Sequence, residues 1–107
     1  MNFSVMILAV LPTGLFAQPF SESMAECAAI YQNSAQWVQS DAAADKLMQA
    51  TRNWAEAAIE QASAEGHSLS DDAMWGKIDA KTDAWEAKGA EFIFSQEFRD
   101  WTDYCRA

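Results

Sequence analysis

The sequence predicts an all-α fold: a small up-down-up-down four-helix bundle with a short fourth helix, stapled by one disulfide and preceded by a signal peptide. Three observations carry that prediction. First, no proline occurs between Ser21 and Cys105, and the only glycines there are Gly66, Gly76 and Gly89. Ala, Glu, Gln, Lys and Met are abundant over that span and alternating β-branched runs are missing, a composition that favours helix. Second, apolar residues recur at spacings of three and four. Third, the chain has two cysteines, Cys27 and Cys105, one near the start of the first helix and one at the end of the last.

The chain opens on Met1-Asn2-Phe3-Ser4, then the apolar run Val5 to Leu11, broken by Pro12 and Gly14 and followed by Leu15-Phe16-Ala17. An apolar segment of about 7–15 residues ending near a small residue is the pattern of a secretory signal. We expect cleavage after Ala17, with residues 18–107 as one helical domain. The n-region has no Lys or Arg, and Leu15 stands where a smaller residue is usual. An uncleaved anchor is the competing reading, but a spanning helix takes roughly 20 apolar residues, and Pro12 and Gly14 interrupt the run well short of that. No stable membrane span is expected after cleavage.

The first helix is expected to start at Ser23, with Glu26 completing a capping box. Met24, Cys27, Tyr31, Ser34 and Val38 form its stripe, widened by Ile30 and Trp37. Gln39-Ser40-Asp41 is the turn, and Ser40 or Asp41 caps the second helix. That helix carries Ala44, Leu47, Met48, Thr51, Trp54, Ala58 and Ala62 on one side, with Ile59 beside them, and Gly66 stops it. Ser68 or Ser70 caps the third helix, whose positive end is complemented by Asp71 and Asp72. Its stripe is Met74 or Trp75, Ile78, Thr82, Trp85, Gly89 and Phe92. Gly76 weakens it by about 1 kcal/mol relative to Ala; Gly89 marks a kink, a close approach or the true end. Ser95 caps the short fourth helix, with Phe98, Trp101, Thr102 and Cys105 on one side and Phe94 placed to staple onto Phe98.

Short loops make consecutive helices antiparallel. With four helices, the start of the first and the end of the last fall at the same end of the bundle; with three they fall at opposite ends. A Cys27–Cys105 bond therefore implies an even number of rods. An exported protein meets an oxidising compartment, and two cysteines allow one internal pairing. Closing a loop of about 78 residues stabilises by about 4 kcal/mol in the chain-entropy model. A domain this small needs such help.

The net charge is −9, all of it beyond the leader. A field of that sign repels nucleic-acid phosphates and suits a cationic partner. The residues of common chemistries are missing. His67 is the only histidine and falls in a loop. There is no Cys-x-x-Cys, no Glu-x-x-His, no calcium loop and no nucleophile elbow. No metal, cofactor or catalytic residue is expected, and Asp72, Asp79, Asp83 and Glu86 interleaved with Lys77, Lys81 and Lys88 read as a solvated helix face.

The aromatic load is high, with Trp37, Trp54, Trp75, Trp85 and Trp101 all in the mature part. Most belong to the core. Trp37, Trp75, Phe94 and Trp101 lie at stripe edges or helix ends, where a surplus forms an exposed patch, and such patches mark partners. The expected function is a non-enzymatic protein-interaction module or accessory subunit. The alternative is a carrier holding a small apolar ligand between its helices, and a third reading is an enzyme whose carboxylates converge only in the fold. The leader and the paired cysteines imply a periplasmic or secreted location; the overall pattern resembles short exported helical proteins of Gram-negative bacteria, and no family motif is matched.

Overall fold

The computed structural model of the chain describes residues 19–106. The expected signal segment and its cleavage point after Ala17 lie outside the described residues. Within them the chain forms four α-helices, one 3₁₀ helix and no strand: α1 (Phe20–Ala35), α2 (Asp41–Ala64), α3 (Asp71–Glu86), the 3₁₀ helix Ala90–Phe94 and α4 (Gln96–Arg106).

The start of α1 differs from expectation. The helix begins three residues before Ser23, with Pro19 in the extended N-cap position. Proline has a preset φ and no N–H to satisfy, so it fits the entry to a helix. Ser23 is fully buried inside α1 and is not the cap. The carboxylate of Glu65, at the far end of α2, takes the cap's place: it accepts from the Ser21 N–H at 3.1 Å and from the Ser21 hydroxyl at 2.6 Å. Helix α1 also ends earlier than its stripe implies, so Trp37 and Val38 lie past its last turn.

The other ends follow their local residues. The Ser40 hydroxyl accepts from the Ala43 N–H at 3.0 Å and caps α2. At the other end of α2, Gly66 adopts φ +91°. The Gly66 N–H bonds to the Ser63 carbonyl and the His67 N–H to the Ala62 carbonyl, both at 3.0 Å. Those two bonds are a Schellman closure, and the left-handed residue it requires favours glycine. The Ser70 hydroxyl caps α3, accepting from the Ala73 N–H at 3.1 Å. Gly89, with φ +81°, follows the end of α3 and opens the 3₁₀ helix, so it marks the true end. Ser95 accepts from the Phe98 N–H at 3.1 Å and donates to the Phe92 carbonyl at 2.6 Å, joining the 3₁₀ helix to α4.

Helix α1 packs against all three other helices, most extensively against α2. It contributes Ala25, Cys27, Ala28, Ala29 and Ile30 to the core; α2 contributes Ala55, Ala58 and Ala62, and α3 contributes Met74, Ile78 and Trp85. Six of those residues are alanines. The methyl-sized side chains let helix axes lie near the close end of the usual spacing. The larger volume comes from the aromatic end. There Trp85 stacks on Phe92 at 5.3 Å and meets Trp101 edge-on at 5.8 Å, and Phe92 meets Phe98 edge-on at 5.6 Å. The ring packed on Phe98 is thus Phe92, not Phe94, which is 75 % exposed. Cys27 and Cys105 are bonded, with Cα atoms 5.5 Å apart.

Candidate functional site

The aromatic residues singled out from the sequence fall into two groups. Trp75 and Trp101 are half-buried and pack against the core, where Trp101 touches both Trp85 and Tyr104. Trp37 and Phe94 are exposed, at 38 % and 75 %, and Val38 beside Trp37 is 38 % exposed. Trp37 and Val38 occupy the α1–α2 turn and Phe94 ends the 3₁₀ helix, where the Arg99 side chain bonds to its carbonyl at 3.0 Å.

The lysines of α3 do not simply alternate with acids on their own helix. They reach across to neighbours. Lys77 pairs with Glu22 at 2.8 Å and Lys81 with Glu26 at 3.5 Å, both on α1. Lys88 pairs with Glu97 of α4 at 3.0 Å. Lys81 also lies 4.9 Å over the Trp85 ring and Lys88 5.6 Å over Phe92, within cation–π range. The two α1 pairs run along an open groove of about 320 Å³ between α1 and α3, lined by Glu22, Ala25, Glu26, Lys77, Ala80, Lys81 and Ala84. Charged walls and a floor of single methyls suit an apolar ligand poorly, because binding it there would desolvate the ion pairs.

Two carboxylates are perturbed. Hydrogen bonds from the Ser21 hydroxyl and then Gln61 hold Glu65 below the ordinary carboxylate range, overcoming partial desolvation; the Ser21 N–H and the His67 ring add to the effect. For Glu97, partial burial pushes the carboxyl up. Hydrogen bonds from Lys88 and the Trp85 indole, with the charges of Lys88 and Lys81, outweigh it and leave the group lowered. Both are acids held in their charged form by structural partners.

Glu65 gathers Ser21 on one side and His67 on the other, with His67 Nε2 3.3 Å from its carboxylate. In a nucleophile-activating triad the imidazole stands between the hydroxyl and the acid. Here the acid stands between the hydroxyl and an exposed imidazole, and Ser21 is buried, so the arrangement caps a helix rather than activating an oxygen. Among the described residues no group of three or more His, Cys, Asp or Glu side chains is placed to hold a metal ion.

Sequence reasoning missed the Glu65 cap, the cross-helix reach of the lysines and the burial of Asn33. The adjacency of Glu65 to the helix-stopping Gly66 was the one local sign of the first. No family model, no curated protein and no solved structure matches the chain.

Proposed function

We propose that the chain is an exported up-down-up-down four-helix module that binds a protein partner, without chemistry of its own, through an apolar end bearing Trp37, Val38 and Phe94. Cross-helix contacts support the topology. Glu22–Lys77 and Glu26–Lys81 advance in the same direction along α1 and α3, which supports a parallel course for these two helices. Ser21 at the start of α1 meets Glu65 at the end of α2. Glu97 at the start of α4 meets Lys88 just past α3, while Cys105 at its end meets Cys27.

With α1 and α3 on that parallel course, the segments that follow them leave at the same end of the bundle. One carries Trp37 and Val38, the other Phe94. Three large apolar side chains exposed on two turns at one end is the observation that carries the reading, since exposed apolar surface gathered at one place marks interaction sites; Phe20 at the start of α1 and Tyr104 near the end of α4 are exposed as well. Trp75 and Trp101 act as packing residues. Asp41, Asp45, Glu86, Glu91 and Asp100 are exposed on the helix ends and turns nearby, and with a net charge of −9 they favour a cationic partner.

The buried disulfide supports an oxidising compartment, the periplasm or the outside of the cell. Among the described residues no helix is long and apolar enough to cross a membrane.

The test compares the oxidised full chain with its Trp37→Ser/Phe94→Ser variant in affinity capture from native extracts. A partner retained in stoichiometric amount by the parent, weakened by salt and lost with the variant supports the reading. Equal retention by a variant with unchanged helicity overturns it.

A further inference from the structure

The Cys27–Cys105 bond does more than close a loop: we propose that it is a redox latch on α4, whose reduction releases that helix as a flap and uncovers the Trp85–Phe92 face while α1, α2 and α3 stay folded. The inference rests on how unequally the helices are buried. Cys105 is the only buried residue of α4. Its other inward side chains, Phe98 and Trp101, are only half-buried where they pack on the core, meeting Phe92 and Trp85 edge-on, and its contact with α1 is far smaller than that of α2. Glu97 adds two polar ties: its carboxylate accepts from the Trp85 indole at 3.2 Å and pairs with Lys88. Both side chains of that pair are about half exposed, and such pairs contribute little.

The other three helices hold one another without α4. Ala25, Ala28, Ala29 and Ile30 of α1, Ala55, Ala58 and Ala62 of α2, and Met74 and Ile78 of α3 are all buried in a common core. The Glu65 cap joins α1 to α2, and two ion pairs join α1 to α3. An isolated helix of eleven residues is marginal in water, so once the sulfur tie is cut α4 has little to keep it docked. Regions with few buried contacts open at lower free energy than the rest of a fold.

The chemistry is a two-electron exchange with a dithiol. One thiolate of the reductant attacks Cys105 Sγ, since Cys105 is 5 % exposed and Cys27 is fully buried. The S–S bond breaks, Cys27 leaves as a thiolate and takes a proton, and a mixed disulfide joins the reductant to Cys105. The second thiol of the reductant displaces Cys105, which also becomes a thiol, and the reductant leaves as its disulfide. Before reduction Trp85 and Phe92 are 1 % and 3 % exposed; with α4 displaced, the parts of these rings that meet Trp101 and Phe98 are open.

The experiment is hydrogen exchange by mass spectrometry on the full chain, oxidised and then kept in dithiothreitol, with a Cys27→Ala/Cys105→Ala variant as a reductant-free arm. Peptides from 96–106 should exchange about tenfold faster or more, and trypsin should cut after Arg99 correspondingly faster. Peptides covering 25–34, 55–62 and 74–85 should keep their protection. Loss of protection in all helices together, or failure of the double variant to fold, overturns the latch in favour of a staple for the whole domain. Unchanged protection of 96–106 overturns it as well.

Discussion

Replacing Asn33 by leucine should stabilise the protein. Asn33 lies in the last turn of α1 and is 1 % exposed. Neither its Oδ1 nor its Nδ2 has a hydrogen-bond partner among the described residues. A buried polar group left unpaired costs about 1–3 kcal/mol, and a volume-matched apolar side chain removes that cost. Against it stands repacking of a branched side chain into an amide-shaped space, at most about 1.5 kcal/mol. Helix propensity favours leucine by a few tenths, roughly. The net expectation for Asn33→Leu is a gain of about 1–2 kcal/mol, or a Tm rise of about 5–10 °C for a domain this size. Urea unfolding followed by circular dichroism gives the number: the midpoint should rise with the slope unchanged. Asn33→Ala is the control, since it removes the amide but leaves a void, and should gain little or lose. A loss of more than about 1 kcal/mol for Asn33→Leu would refute the reasoning, because it would mean the amide is satisfied in solution.

Two further predictions follow from the helix ends and the glycines. Because the folded-state pKa of Glu65 is lowered, its contribution to stability is fully present above the ordinary value of 4.5 and is lost as pH falls through the lower folded value; linkage fixes that sign. Glu65→Ala should therefore narrow the difference between neutral and acid stability in urea titrations, and amide exchange at Ser21 should rise at neutral pH. Gly76 and Gly89 should respond oppositely to alanine. A Cβ at Gly76, inside α3, meets nothing within 4 Å, so Gly76→Ala should stabilise by about 1 kcal/mol. Gly89 has equal space but φ +81° with ψ −176°, a region nearly reserved for glycine, so Gly89→Ala should destabilise by about 1–3 kcal/mol, both read by thermal unfolding.

What was legible in the sequence was local or periodic. Ser40, Ser70 and Ser95 cap their helices as their positions implied, Gly66 ends α2, and the stripe Met74, Ile78, Thr82 and Trp85 is the buried face of α3. The pairing of Cys27 with Cys105 was legible because only one pairing was possible. Features that depend on distant residues were not. The cap of α1 comes from Glu65, 44 residues away, and no local pattern near Ser23 reveals that. Lys77, Lys81 and Lys88 read as part of a solvated helix face, and only the arrival of α1 and α4 alongside gives them partners. Phe94 reads as the ring that packs on Phe98 because it stands just before the Ser95 cap, where a staple residue belongs; the ring there is Phe92, the last residue of the stripe expected for α3. Among the four aromatic residues proposed for binding, exposure separates Trp37 and Phe94 from Trp75 and Trp101, a distinction that depends on how the helices close.

The alanine-rich contact of α1 with its neighbours inverts the usual response of an interior to mutation. In a core of leucine and phenylalanine, trimming is what hurts, because it opens voids. Where Ala28, Ala29, Ala55, Ala58 and Ala62 are all at 0–1 % exposure, there is little left to trim and no room to add. A single valine or leucine at any of them would force the rods apart along their length and disturb contacts many residues away. Enlargement should accordingly be refused at this protein's smallest side chains, while truncation is refused at Trp85 and Phe92 of the aromatic end, which are 1 % and 3 % exposed.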